Sequence, residues 1–253
     1  ELDMLYQAAG TPHEKRLAKL ESNLEAVVKR DDAMGQLVGL YVQVGQYDKA
    51  IDILAKRHFH TWEGGGEIHE TYVDAHLLRG LGHLEAKRFE PALKDFEAAL
   101  EYPENLEVGR PFEGGREPQV LYFVGVAAEA AGQQGKAQDS FRKAAAKEHK
   151  APEIRYYQGL ALRKLGQESD ATRLLEGLVS EGREMLAAGA RMDYFAKFGG
   201  QQSAAARAAR AHYLVGLGYL GQDKKAEARA EFQKALEQNV NHLWARAQLA
   251  RVK

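Results

Sequence analysis

The sequence predicts an all-α protein built from repeated helix pairs. Apolar residues recur at spacings of three and four in most windows, while runs that alternate apolar and polar residues are absent. A glycine and an alanine twelve residues apart recur four times, at Gly80 and Ala92, Gly125 and Ala137, Gly159 and Ala171, and Gly216 and Ala228. Self-similarity of this kind indicates a stack of like units.

The first element expected is an N-terminal capping helix over 11–30. Thr11 and Glu14 have the spacing of a capping box, and Pro12 suits the first helical position. The helix that follows is charged and amphipathic. Because the end of a stack needs a polar face, this helix is expected to cover the first repeat.

Five helix pairs are expected to follow, each with a small residue where its two helices cross. Phe96, Phe141 and Phe232 would fill the space between repeats, and Val38 replaces the glycine in the first pair. Asn241 is expected to cap a closing helix. The expected repeats and the C-terminal cap cover 31–58, 73–104, 118–149, 152–179, 209–239 and 241–252.

The repeated frame resembles the tetratricopeptide repeat. The stretch HYLVGLGY (212–219) is followed by ARAEFQKA (228–235), which fits the pattern of a large residue, a glycine and a tyrosine ahead of Ala-x3-Phe. The resemblance implies a right-handed α-α superhelix, a solenoid of about five helix pairs with capping helices. It also implies a protein–protein interaction module with a concave groove.

Three inserts between repeats interrupt the regular spacing of about 34 residues that this repeat has. They lie at 58–70, 105–118 and 180–202. The first two share an aromatic-Glu-Gly-Gly motif, at Trp62-Glu63 and Phe112-Glu113. Since inserts at equivalent points of a solenoid emerge on one side, these two loops are predicted to be neighbours that form one rim.

A narrower resemblance rests on KRDD (29–32), LAKRHF (54–59), WEGG (62–65), LEYPENL (100–106) and YFVG (122–125). Together these stretches resemble the C-terminal repeat region of large bacterial proteins whose N-terminal part is a β-rich domain similar to carbohydrate-handling sandwiches. The resemblance implies that this chain is a domain of a longer protein, and it implies no catalytic residues.

Composition excludes several classes of function. The chain has 253 residues, 45% of them hydrophobic, and its 35 Lys and Arg balance 36 Asp and Glu, so no field for nucleic acid or an anionic membrane is expected. No apolar run is long enough for a membrane span, and the start lacks a secretory signal, which favours the cytoplasm without fixing the compartment. The absence of cysteine excludes thiolate chemistry.

The predicted groove carries a recurrent tyrosine. Counting from the repeat frame, groove positions hold Asp74 and Gln119 together with the candidate binding residues Tyr122, Tyr156, Tyr213, Glu129, Arg163 and Arg210. Three stacked tyrosines would form an amphipathic ladder for a peptide or a sugar face. The alternative is that these rings pack in the core, as aromatic residues at helical spacing commonly do.

The first insert also invites a metal hypothesis. His58, His60, His69 and Glu67 offer the imidazole and carboxylate groups that suit Zn²⁺. The alternative, which is preferred, is that no metal or cofactor binds. His58 then caps the end of a helix, His60 is solvated and His69 lies on the first turn of the next helix.

Two functions therefore remain. The first, which is preferred, is a non-catalytic binding module that recognises a protein segment, or the parent chain's own β-rich domain, through its groove. The second is an accessory domain whose rim residues Trp62, Glu63, Phe112 and Glu113 contribute to a carbohydrate-binding or carbohydrate-active site. The phosphate-binding loops and nucleophile elbows of common enzymes are missing from the sequence.

Overall fold

The computed structural model describes residues 2–60, 67–111, 115–146, 149–189 and 204–252. Within these ranges the chain forms fourteen α-helices and one turn of 3-10 helix at Glu104–Leu106, with no β-strand. The predicted all-α class is therefore confirmed. The helices are α1 Leu2–Ala8, α2 His13–Glu21, α3 Leu24–Val27, α4 Asp31–Gln43, α5 Tyr47–Lys56, α6 Glu67–Glu85, α7 Phe89–Ala98, α8 Glu117–Ala130, α9 Gln134–Ala145, α10 Pro152–Lys164, α11 Glu168–Gly189, α12 Ala204–Gly221, α13 Lys225–Gln238 and α14 Leu243–Arg251.

Five helix pairs are joined by three-residue turns of a single type. In each turn, the N–H that follows the middle residue donates to the carbonyl five residues back, which is the hydrogen bond of a Schellman motif. So short a connection makes the two helices antiparallel. The middle residues all have positive φ, and they are Gly45, Lys87, Gly132, Gly166 and Asp223.

Replacing Lys87 with glycine is expected to stabilise the protein by about 1 kcal/mol, because an L-residue in the left-handed region is strained by roughly that amount. Lys87 has φ 57°, and its side chain is exposed. The free energy of unfolding in urea measures the effect. Lys94→Gly, at an exposed site inside α7, is the control and should lower stability. A less stable Lys87→Gly variant would contradict the assigned turn.

The chain divides into two compact units, 1–140 and 141–253. In the first unit, α4 packs on α6 and α6 packs on α8, while α5 and α7 each contact the helix before and the helix after. In the second unit, α10 packs on α12, and α11 contacts both of them. This alternation is the packing that a tetratricopeptide-like helix pair predicts.

The repeated glycines lie where paired helices cross. A Cβ placed on Gly80 would lie only 2.5 Å from Cε1 of Phe96, whose side chain is 0% exposed. The same relation holds between Gly216 and Phe232 (2.5 Å) and between Gly159 and Leu175 (3.0 Å). The prediction of close crossings is confirmed at these three positions. Gly125 is buried within α8.

The N-terminal cap differs from the expected single helix. The N-cap of α2 is Pro12, and no side chain caps this end, so the predicted capping box at Thr11 and Glu14 is wrong. The helix ends at Glu21 because the side chains of Ser22 and Asn23 both donate to the carbonyl of Lys19. The remainder of the predicted helix is the short α3.

At the C-terminal cap, the N-cap residue of α14 is His242 and not the predicted Asn241. The imidazole Nδ1 of His242 accepts a hydrogen bond from the N–H of Ala245 at 3.2 Å. Burial lowers the pKa of His242, which keeps this nitrogen unprotonated and able to accept. Asn241 precedes this residue, so the predicted cap was displaced by one position.

A buried carboxylate ties α6 to α7. Asp95 is 3% exposed and accepts hydrogen bonds from two nitrogens of Arg79, with Nη2 to Oδ1 at 2.6 Å and Nε to Oδ2 at 3.0 Å. Nδ1 of His76 lies 3.1 Å from Oδ1 of the same carboxylate. The last pair repeats the arrangement, since Nδ1 of His212 lies 2.7 Å from Oε2 of Glu231. These contacts join helices within a pair.

Candidate functional site

The first two inserts lie against each other in the first unit. The N–H of Phe59 donates to the carbonyl of Asn105 at 2.7 Å. The side-chain amide of Asn105 donates to the carbonyls of Leu54 and Arg57, at 2.8 and 2.7 Å. The prediction that these loops are neighbours is therefore confirmed for the parts that the structure describes. The predicted rim residues Trp62, Glu63, Phe112 and Glu113 lie outside the described residues.

In the same unit, a small cleft opens between the start of α6, the end of α7 and the start of α8. The segment between α7 and α8 forms one of its walls. Its polar lining comes from His69, Glu70, Tyr102, Arg110, Arg116 and Glu117, and its apolar lining from Val73, Ala99, Leu100 and Val120.

Tyr102 is the aromatic centre of the cleft. Its ring stacks on His69, with centroids 3.9 Å apart and planes 13° apart. Nε2 of His69 donates to the carbonyl of Glu101 at 2.9 Å, which fixes the orientation of the imidazole. The guanidinium carbon of Arg110 lies 4.9 Å from the centre of the Tyr102 ring. Burial raises the pKa of Tyr102, so its hydroxyl remains protonated and can donate as well as accept.

The two arginines of the cleft differ in their surroundings. Arg116 is largely covered and pairs with Asp74 at 2.6 Å and with Glu70 at 3.1 Å. The side chain of Arg110 is 54% exposed, and its Nη2 donates to the carbonyl of Leu100 at 3.2 Å. Among the described residues, its closest carboxylate oxygen, on Glu117, is 3.9 Å away. Arg116 thus serves to hold α6 and α8 together, whereas Arg110 presents a guanidinium to solvent on an aromatic ring.

Sequence reasoning missed Tyr102, Arg110 and Arg116 as site residues. All three lie in stretches that it did single out, the LEYPENL phrase and the second insert. The signal was the concentration of Arg, Tyr and Glu next to the glycines of that insert. Asp74 and Gln119, which were placed at the predicted groove, both bind Arg116 and so flank the cleft.

The predicted tyrosine ladder is mostly covered. Tyr156 is 5% exposed and Tyr213 is 4% exposed. The ring of Tyr213 lies 4.6 Å from that of His242 and 5.8 Å from that of Phe232. For these two tyrosines, burial favours the packing alternative. Tyr122 remains partly exposed at the surface of α8.

The charged residues predicted for the groove make contacts within the chain. Arg210 donates to both carboxylate oxygens of Glu153, with Nη2 3.1 Å from Oε2. Arg163 donates to the carbonyl of Gly221 at 2.7 Å. Both contacts join α10 to α12, so these arginines stabilise the second unit. Glu129 is half-buried near the end of α8.

The histidines of the first insert separate into two groups. His69 is buried against Tyr102 on the first turn of α6, as the preferred interpretation expected. His58 does not cap α5 but lies 2.6 Å from Glu107, and His60 lies 3.3 Å from the same carboxylate oxygen. The helical residue Glu67 is exposed.

No protein-family model matches the chain. Among solved structures it is similar to a tetratricopeptide repeat protein from Parabacteroides merdae, at 16% identity and a TM-score of 0.45, over 98% of this chain and 80% of that one. It is also similar to YrrB, a TPR protein with an unusual peptide-binding site, at 15% identity and a TM-score of 0.35, over 90% of this chain and 96% of that one. A third similar structure is the P58(IPK) TPR domain, at 15% identity and a TM-score of 0.28, over 99% of this chain and 85% of that one.

None of the described helices is both long enough and apolar enough to cross a bilayer.

Proposed function

We propose that this chain is a non-catalytic binding module that holds a protein segment, supplied by a partner or by the parent chain's own N-terminal domain. The single observation that carries the proposal is the accessible guanidinium of Arg110, set over the Tyr102 ring in the cleft of the first unit. Tyr and Arg are the residue types most enriched among the energetic centres of protein interfaces.

The charges of the cleft suit a polypeptide. Glu70 and Glu117 place exposed carboxylates within the same cleft as Arg110, so both signs of charge are present. A peptide can pair with both through its side chains, while its apolar groups lie on Tyr102 and its backbone groups meet the phenol hydroxyl. Contacts within the chain hold the side chains of His69 and Arg116, so these two walls of the cleft are already oriented before a ligand binds.

The residues predicted for the groove are a second candidate for holding the ligand. In the first unit, Tyr122 and Glu129 retain exposed surface on α8, and in the second unit Arg210 retains exposed surface on α12. Tyr156 and Tyr213 would contribute by supporting their neighbours, since their rings are covered.

Selection from a phage-displayed random peptide library on the tag-free chain tests the proposal. Selected peptides should bind the Arg110→Ala variant at least about tenfold more weakly, because an interfacial Arg on an aromatic ring is a typical energetic centre. Arg30→Ala is the matched control, since Arg30 is an exposed arginine of the same unit that pairs with Asp32. Its affinity should equal that of the wild type.

The groove variants Tyr122→Ala and Arg210→Ala separate the two surfaces. Loss of affinity in these variants alone would move the binding site to the groove and contradict the cleft. Failure of the wild-type chain to enrich any peptide over a column without protein would contradict the binding module itself. The carbohydrate alternative rests on Trp62, Glu63, Phe112 and Glu113, and the contacts of the described residues give it no support.

A further inference from the structure

Two histidines and one carboxylate converge where the first two inserts meet. Nε2 of His58 lies 2.6 Å from Oε1 of Glu107, and Nδ1 of His60 lies 3.3 Å from the same oxygen. The potential ligand atoms of the three side chains all lie within 4.8 Å of one another. The two imidazole rings are 4.6 Å apart and tilted by 50°, so both nitrogens face the carboxylate without the rings stacking.

Buried neighbours fix the backbone from which the three side chains extend. Phe59, between the two histidines, is 3% exposed, and Leu106, next to Glu107, is 0% exposed. The hydrogen bond from the N–H of Phe59 to the carbonyl of Asn105 locks the two backbones together. Glu107 itself has φ 50°, a left-handed conformation at the end of the 3-10 turn. The ligand atoms are therefore presented by two fixed segments.

The local charges favour a cation at this point. Oδ2 of Asp31 accepts a hydrogen bond from the backbone N–H of His60 at 3.1 Å. The same carboxylate pairs with Arg57 at 2.6 Å. Asp31 neutralises Arg57, and Glu107 brings a carboxylate against the two imidazoles, which is the sign of charge that attracts a cation.

We propose that His58, His60 and Glu107 bind a divalent transition-metal ion of the Zn²⁺ class, with water completing the coordination. Zinc accepts imidazole nitrogen and carboxylate oxygen at about 2.0–2.2 Å, which places ligands of a tetrahedral site about 3.4 Å apart. The contacts of 2.6 and 3.3 Å lie on the short side of this spacing, and the third separation is within 4.8 Å. All three side chains are exposed and can rotate around an ion.

The bound ion would cross-link the first insert to the second. His58 and Glu107 are 49 residues apart in sequence, and the ion would fix the junction between the two inserts. Nitrogen ligands also predict selectivity, because Mg²⁺ and Ca²⁺ prefer sites made only of oxygen. The proposal does not depend on the proposed peptide-binding function.

Isothermal titration of the tag-free chain with ZnCl₂, and separately with MgCl₂, tests the site. One Zn²⁺ per chain should bind and raise the melting temperature, whereas Mg²⁺ should do neither. His58→Ala, His60→Ala and Glu107→Gln should each weaken Zn²⁺ binding by at least about tenfold, the scale on which weaker perturbations of metal sites already act. Glu104→Gln, an exposed glutamate of the same turn, is the matched control and should bind as the wild type does.

Circular dichroism confirms that each variant is folded, and the visible absorption of bound Co²⁺ reports directly on the ligands. If an alanine variant fails to fold, the glutamine variant at the same position, for example His60→Gln, is measured instead. Glutamine keeps most of the volume of the histidine side chain. Zinc affinity that survives in both Glu107→Gln and His58→Ala would overturn the proposal. So would the absence of saturable binding to the wild type, or equal binding of Mg²⁺. The carboxylate and the histidines would then form only a metal-free ion pair.

Discussion

Replacing Asp95 with alanine is expected to destabilise the protein by about 3 kcal/mol. The carboxylate is buried and accepts hydrogen bonds from Arg79 in addition to its contact with His76. Removing it leaves the guanidinium of Arg79 partly buried without its main partner, which costs more than the ion pair itself contributes. Urea denaturation at neutral pH measures the loss.

Asp48 provides the control because it pairs with the same arginine. Nη1 of Arg79 lies 2.7 Å from Oδ1 of Asp48, but the Asp48 side chain is 90% exposed. Asp48→Ala should therefore change the stability little, since exposed ion pairs contribute little. Equal losses in the two variants would show that burial of Asp95 is not the source of the effect.

The pH dependence of the stability tests the role of the same carboxylate independently. Burial raises the pKa of Asp95, but hydrogen bonds from His76 and Arg79 together lower it by more. The pKa of Asp95 therefore lies below its ordinary value. A carboxyl with a lowered folded-state pKa stabilises the protein above the unfolded-state pKa of about 3.9 and loses this contribution as the pH falls through the folded-state value. The gap in stability between wild type and Asp95→Ala should therefore narrow below about pH 4.

Two glycines of α6 are expected to respond to alanine with opposite signs. Gly80→Ala should destabilise the protein by about 2 kcal/mol, because overpacking of a filled core has this cost. The new Cβ would lie 2.5 Å from Cε1 and 2.8 Å from Cδ1 of Phe96. That ring is fully buried and stacks on Phe123 at 5.4 Å, so it has little room to move.

Gly82→Ala, two residues further along α6, should instead stabilise the protein by up to about 1 kcal/mol. In the part of the chain that the structure describes, no atom outside the helix lies within 4 Å of a Cβ at this exposed position, and alanine is the better helix former. Thermal and urea denaturation of the two variants give the comparison. Gly216→Ala should repeat the result of Gly80→Ala, since Phe232 occupies the equivalent place. A stabilising Gly80→Ala variant would contradict the close crossing.

The sequence by itself determined the helix pairs and their crossings. Helical periodicity is a local property, and only a small residue fits where two backbones approach within reach of Phe96 or Phe232. It also indicated that the first two inserts are neighbours, because equivalent points of a repeat emerge on one side. These inferences need only the period of the helix and the sizes of side chains.

The tertiary structure alone decided which polar groups meet. Glu107 reaches His58 across 49 residues because the 3-10 turn docks on the end of α5 through Asn105, and no local pattern encodes that docking. Likewise, the tyrosines at 156 and 213 have the spacing of a surface ladder, but neighbouring helices cover their rings. Burial and long-range pairing depend on where whole helices pack, whereas secondary structure depends on residues a few positions apart.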